Sequence, residues 1–130
     1  MTRRLVNPPE MHPATSYSHL AVAQGHTLVF IAGQVALDAD MNVVGPGDLR
    51  KQIEVTMANL KLAMDAAGVG WDDIVRRTIY TTRPHDLQTI TSTIREATQG
   101  AANPPQTIVG VTGLALPDLM VEIECTAVLS

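Results

Sequence analysis

Val121-Glu122-Ile123-Glu124-Cys125-Thr126-Ala127 alternates without a break. Successive side chains of a strand point to opposite faces, so Val121, Ile123, Cys125 and Ala127 share one face and Glu122, Glu124 and Thr126 the other. Such a strand has one covered face and one polar face. The cover is found upstream. From Asp48 to Ala67, Leu49, Ile53, Met57, Leu60, Met64 and Ala67 recur at threes and fours and form one helical stripe. Gly47 and Asp48 suit its start, and Gly68 suits the residue after its end. Leu87, Ile90, Ile94 and Ala97 form a second stripe. Pro84 can open that helix in its first turn, Asp86 suits the positive end of the dipole, and Gly100 ends it.

The remaining segments fit around this frame. Tyr17 to Gln24 and Thr27 to Gln34 read as strands flanking Gly25-His26, a two-residue turn signal with glycine first. Ile74 to Thr82 and Gln106 to Thr112 are rich in β-branched residues and read as strands. Residues 1–13, with Pro8, Pro9 and Pro13, read as irregular. Asp38 to Gly47 reads as a polar loop, and Trp71-Asp72-Asp73 as a short turn. The order β-β-α-β-α-β-β predicts an α+β domain with both helices on one face of the sheet.

A chain of 130 residues fits a single domain, 1–130. Hydrophobic residues at 45% and charged residues at 17% exclude a disordered chain. The lone Cys125 excludes an intrachain disulfide and a cysteine-based zinc knuckle. No apolar run approaches the roughly 18 residues of a membrane span. The opening MTRRLVNPPE lacks the apolar stretch of a signal peptide, so the expected location is the cytoplasm. A net charge of −4 and four aromatic residues argue against nucleic acid as a partner.

Glu122 and Glu124 are two apart on one strand face, with Cα atoms roughly 6.5–7 Å apart. Such a pair can act as acid and base, and on spacing alone it is equally a solvated strand face. His12, His19, His26 and His85 form no close ligand pair, so no metal site is expected. Only His19 shares a strand face with another reactive residue, Tyr17. Cys125 reads as a buried, inert thiol. Gly45-Pro46-Gly47 lacks the lysine of a phosphate-binding loop and reads as a turn. Trp71 reads as packing at the start of a strand.

Taken in order, these segments resemble the Rid/YjgF family of reactive-intermediate (imine) deaminases, some of whose members are called endoribonuclease L-PSP. The resemblance runs from about Pro13 to Val128. It is carried by Tyr17-Ser18, Phe30-Ile31-Ala32-Gly33-Gln34, Asn59-Leu60 and Ala66-Ala67-Gly68. Trp71-Asp72-Asp73-Ile74-Val75, Pro105-Gln106-Thr107, and Leu116-Pro117 followed by Val121-Glu122-Ile123-Glu124 complete it. It implies a chorismate-mutase-like fold, a homotrimer with pockets between subunits, and a small-molecule metabolite as the ligand. It also implies hydrolysis of a C=N bond with no metal or organic cofactor. By the same resemblance, Glu122 activates water and Tyr17 helps to position it. Gly33, with Ala32 before it, supplies backbone groups, and Gln106 and Thr107 contact the substrate.

The departures from the family pattern fall on those same positions. Gln106 stands where an arginine clamps the substrate carboxylate, so one neutral amide replaces a charged five-donor fork. Ala32 replaces a serine, Thr15-Ser16 replaces Gly-Pro, His19 stands where glutamine is common, and Thr91 where some members have asparagine. The expectation is an imine or enamine hydrolase whose substrate is not the usual 2-imino acid. The alternative is a non-catalytic metabolite-binding trimer on the same fold. The ribonuclease activity of some relatives would want a basic surface that this chain lacks. Arg83 and His19 are the candidates to replace the missing charge.

Overall fold

The computed structural model describes residues 3–130. Its elements follow as β1 (Arg3–Val6), β2 (Leu20–Ala23), β3 (Thr27–Gln34), α1 (Leu49–Ala67), β4 (Ile74–Thr81), α2 (Leu87–Ala97), β5 (Gln106–Gly110) and β6 (Val121–Leu129). Four strands form a mixed sheet in the order β3-β6-β4-β5. β6 runs antiparallel to both neighbours, whereas β4 and β5 are parallel. A parallel pair needs a crossover, and α2 supplies it.

Both helices lie on one face, as the alternation of β6 predicts. Val121, Ile123, Cys125 and Ala127 are buried there, with Ile53, Met57, Leu60, Met64 and Ile79 in the same core. Each fully buried side chain of this size contributes about 1.5–3 kcal/mol. The Asp48 carboxylate accepts the Lys51 backbone N–H at 3.0 Å and caps α1. Gly68, at φ 73°, turns the chain off the other end in the left-handed region.

Two buried amides fasten loops to α1. Gln52 is fully buried; its Nε2 donates to the carbonyls of Gly45 (3.2 Å) and Asp118 (2.8 Å), and its Oε1 accepts the Met120 N–H (2.8 Å). Asn59 Nδ2 donates to the carbonyls of Val35 (2.8 Å) and Leu37 (3.1 Å) just after β3.

Three details differ from the sequence expectations. Residues 3–6 are not irregular: they pair antiparallel with β2 in a separate two-stranded sheet. Buried Arg3 explains this, because its guanidinium donates to the carbonyls of Ile74 (2.6 Å) and Ala102 (3.0 Å) and pairs with Asp72 (3.4 Å). The strands flanking Gly25-His26 do not pair with each other. The turn closes on β6 instead, with the His26 N–H donating to Leu129 O at 3.0 Å. Pro84 lies outside α2, which begins after Asp86, so the proline belongs to the preceding turn.

Candidate functional site

The sheet face away from the helices carries the carboxylates. Cross-strand partners share a face, and Glu122 lies opposite Tyr80, while Glu124 lies opposite Thr78, itself beside Thr107. The Tyr80 hydroxyl donates to Glu124, and this hydrogen bond is the main cause that holds the Tyr80 phenol above its ordinary pKa. Glu122 makes no hydrogen bond or ion pair among the described residues. The two acids, equivalent by spacing, therefore part company: Glu124 is engaged and Glu122 is uncommitted.

What fixes Glu122 is β3. The β3–β6 register shifts between Ile31 and Gln34, so the chain bulges at Ala32-Gly33. The Glu122 carboxylate lies against this bulge. A Cβ built on Gly33 would sit 2.1 Å from Glu122 Oε2, so any larger residue here would push the carboxylate out of its seat. Ala32 is exposed beside it. The resemblance groups Gly33 with Glu122, and the structure brings them into contact.

Gln106 is elsewhere. It lies opposite Arg77, which lies opposite Cys125, so all three belong to the covered face. Gln106 Oε1 accepts the Arg77 Nε–H at 2.6 Å. The two residues border a small recess with Ser16, Thr91, Arg95 and Asn103. Thr107, one residue on, points to the open face and accepts from Arg76 at 2.5 Å. The expected substrate-binding pair, Gln106 and Thr107, is thus divided between the faces, as adjacent strand residues must be.

Tyr17 precedes Ser18, which bridges to Pro105 and donates to Asn103 O at 2.6 Å. That bridge lays the Tyr17 segment along the start of β5, beside the Gln106 recess. The Tyr17 hydroxyl and His12 Nε2 share a hydrogen bond of 2.7 Å, and the His19 ring stands edge-on to both rings. His19 is itself bonded to His12 O at 2.7 Å. Arg83 pairs with Asp86 at 3.3 Å and does not border the recess.

Sequence reasoning missed Arg77 and His12. For Arg77 a signal existed. It alternates with Ile79 and Thr81, which places an arginine on the face that packs the core. For His12 there was none, since a loop of Pro13 to Ser16 decides that it folds back on Tyr17.

The sequence profile of the family described as Endoribonuclease L-PSP matches residues 8–129. The chain belongs to this family. Another member of the Rid family, the protein of unknown function YyfB from Yersinia pestis, has a crystal structure that superposes with a TM-score of 0.93. It shares 38% identity and covers 99% of this chain and 100% of its own. A RutC family protein of Synechocystis sp. is 31% identical over 90% of this chain and 88% of its own length. The protein from Dermatophagoides farinae called 2-iminobutanoate/2-iminopropanoate deaminase is 28% identical over 98% of this chain and 97% of its own. The α+β fold expected from the resemblance to this family is the fold observed. No helix among the described residues is long and apolar enough to cross a membrane.

Proposed function

We propose that this protein hydrolyses a small reactive imine or enamine, without a cofactor, in a cleft between copies of the chain. The observation that carries this reading is the uncommitted Glu122 carboxylate, seated against Gly33 with no partner of its own. A carboxylate held in place and left unpaired suits a general base. In the reaction, Glu122 takes a proton from water as the water oxygen bonds to the imine carbon. That proton and then the proton of the new hydroxyl pass to the nitrogen, the C–N bond breaks as the C=O bond forms, and ammonia and a carbonyl compound are released. Tyr17, bonded to His12, helps to orient the water or the leaving amine.

A second copy has a reason to be present. Gln106 and Glu122 lie on opposite faces of one sheet, so one protomer cannot close a site around both. The open face also exposes Phe30 (75%) and Leu28 (60%), which a symmetric neighbour would cover. A homotrimer, as the family resemblance implies, would meet both needs.

Because Gln106 stands at the clamp position, the substrate is set apart from an ordinary 2-imino acid. The name of the Dermatophagoides farinae relative supports the reaction class. The test is a coupled assay in which an amino-acid oxidase or dehydratase generates the imine and 2-keto acid formation is followed against a semicarbazide trap. Wild type, Glu122→Ala and Gln106→Arg are compared. Activity that needs Glu122 is expected, and gain of 2-imino acid turnover in Gln106→Arg would show that residue 106 sets the substrate. Ligand binding without turnover across an imine panel would favour the metabolite-binding trimer instead.

A further inference from the structure

Two arginines are buried among the described residues, and they are treated differently. Arg3 is spent on two carbonyls and on Asp72. Arg77 is 4% exposed, yet it gives only its Nε–H, to Gln106. Its Nη1 and Nη2 meet no acceptor and no carboxylate among the described residues. Burial draws the Arg77 pKa down to about 10, which still leaves it cationic at neutral pH. Cys125, across the strand pair, supplies no counter-charge, since burial pushes its thiol up to about 12. Arg3 nearby adds a like charge. A buried cation without a counter-ion is costly unless something completes it.

The recess beside it is suited to do so. Its polar lining is Ser16, Thr91, Arg95, Asn103 and Gln106, with no acid among them. Its free volume is about 10 Å³, room for one water-sized group. That takes up a single carboxylate oxygen, with the rest of the ligand at the mouth of the recess, and is too small for a tetrahedral phosphate. We infer that Arg77 is the carboxylate-binding residue of this protein's ligand, held in orientation by the bond from its Nε to Gln106. With Nε engaged, the two terminal nitrogens remain as a planar pair of charged donors for a carboxylate oxygen at the recess.

This deepens the proposed function and rests on it. Arg77 belongs to β4, one strand inward from Gln106, a step of about 4.8 Å. A carboxylate bound there lies deeper than one bound by an arginine at position 106. The substrate is then an imine whose carboxylate is separated from the C=N carbon by a short chain, rather than attached to it.

The products of such imines are stable oxo acids and serve as probes. Thermal unfolding is followed with 4-oxopentanoate, pyruvate and uncharged butanone, on wild type, Arg77→Met, Arg77→Lys and Glu122→Gln. In wild type, 4-oxopentanoate is expected to raise Tm most, pyruvate less and butanone not at all. Arg77→Met is expected to raise the Tm of the ligand-free protein, because it removes an unpaired buried charge. It should also weaken oxo-acid binding about tenfold or more, with Arg77→Lys intermediate. An arginine that merely supports the fold would lower the ligand-free Tm when replaced, and that result overturns the inference. So does an oxo-acid shift that survives in Arg77→Met, or butanone acting as well as the oxo acids. Pyruvate binding more tightly than 4-oxopentanoate overturns the deep placement. Glu122→Gln separates the two readings. An Arg77-dependent shift kept in Glu122→Gln, with no imine turned over by wild type, leaves the carboxylate site standing and removes the hydrolase. Turnover equal in wild type and Arg77→Met does the reverse.

Discussion

Glu122 and Arg77 are charged residues on neighbouring strands, each left without an ionic partner, but the two faces of the sheet hold them by different means. Glu122 sits on the open face, and the shape of a bulge confines it. Arg77 sits on the covered face, and the one hydrogen bond it donates, to Gln106, confines it. On the open face water can satisfy a carboxylate, so leaving it unpaired costs the fold little. On the covered face the same bareness costs the fold directly. Reactivity at Glu122 can therefore be altered nearly independently of stability, whereas stability and ligand affinity trade against each other at Arg77.

The sharpest way to break this contrast is Glu122→Gln. Loss of a general base lowers turnover by about 10²–10⁴-fold, while an open-face change of this kind moves stability by no more than about 0.5 kcal/mol. Product formation and a urea midpoint check both halves, and a large loss of stability would erase the distinction between the faces. Gly33→Val comes next. The added carbon occupies the place of Glu122 Oε2, so the carboxylate moves and turnover falls about 10²-fold. Because the displaced atoms are the free end of an open-face side chain, stability changes by no more than about 0.5 kcal/mol.

The covered face has its own signature in alkaline solution. The Cys125 thiol is pushed up from 9.0 to about 12 in the folded chain, chiefly by burial. Above pH 9 the unfolded thiol ionises while the folded one stays protonated, so the unfolded state binds fewer protons. Stability is full below that pH and falls as pH rises, by up to ~1.4 kcal/mol per unit from this group. Cys125→Ala should flatten the fall between about pH 9 and pH 10, as read from urea midpoints. Above about 10 the opposite shift of Arg77 offsets it. The smallest effect is expected at Tyr80→Phe, which frees Glu124 and costs about 0.5–1.5 kcal/mol. An ultraviolet titration supplies the companion measurement: Glu124→Gln should bring the raised Tyr80 ionisation down toward the ordinary phenol range.

How much of this could be read in advance follows from the range of the interactions. The alternation of Val121 to Ala127, the stripe from Leu49 to Met64 and the capping by Asp48 and Gly68 are local, and they appear as expected. The β1 strand could not be read, because what holds it is a hydrogen bond from Arg3 to Ile74, 71 positions away. The pairing of the Gly25-His26 turn with Leu129 is hidden for the same reason. At the candidate site, identity was readable but facing was not. Glu122, Gly33 and Tyr17 were picked out by resemblance, yet the resemblance does not say that Glu124 is taken by Tyr80. It also does not say that Gln106 is taken by Arg77. The arginine missing at position 106 could be seen in the sequence, whereas the arginine beside it required the register of β4 and β5.

Gln52 sets a rule for how this chain can vary in length. One side chain on α1 holds the carbonyls at 45 and 118 and the amide at 120 at fixed distances. The loop before α1 and the loop before β6 are therefore two ends of one tie. An insertion that shifts residues 118–120 breaks the bonds to Asp118 and Met120 and leaves the buried Gln52 amide short of partners, while residues 111–117, outside the tie, can lengthen without touching it. Diversity among chains of this design should accumulate on the near side of Pro117, and the two tied loops should change only together.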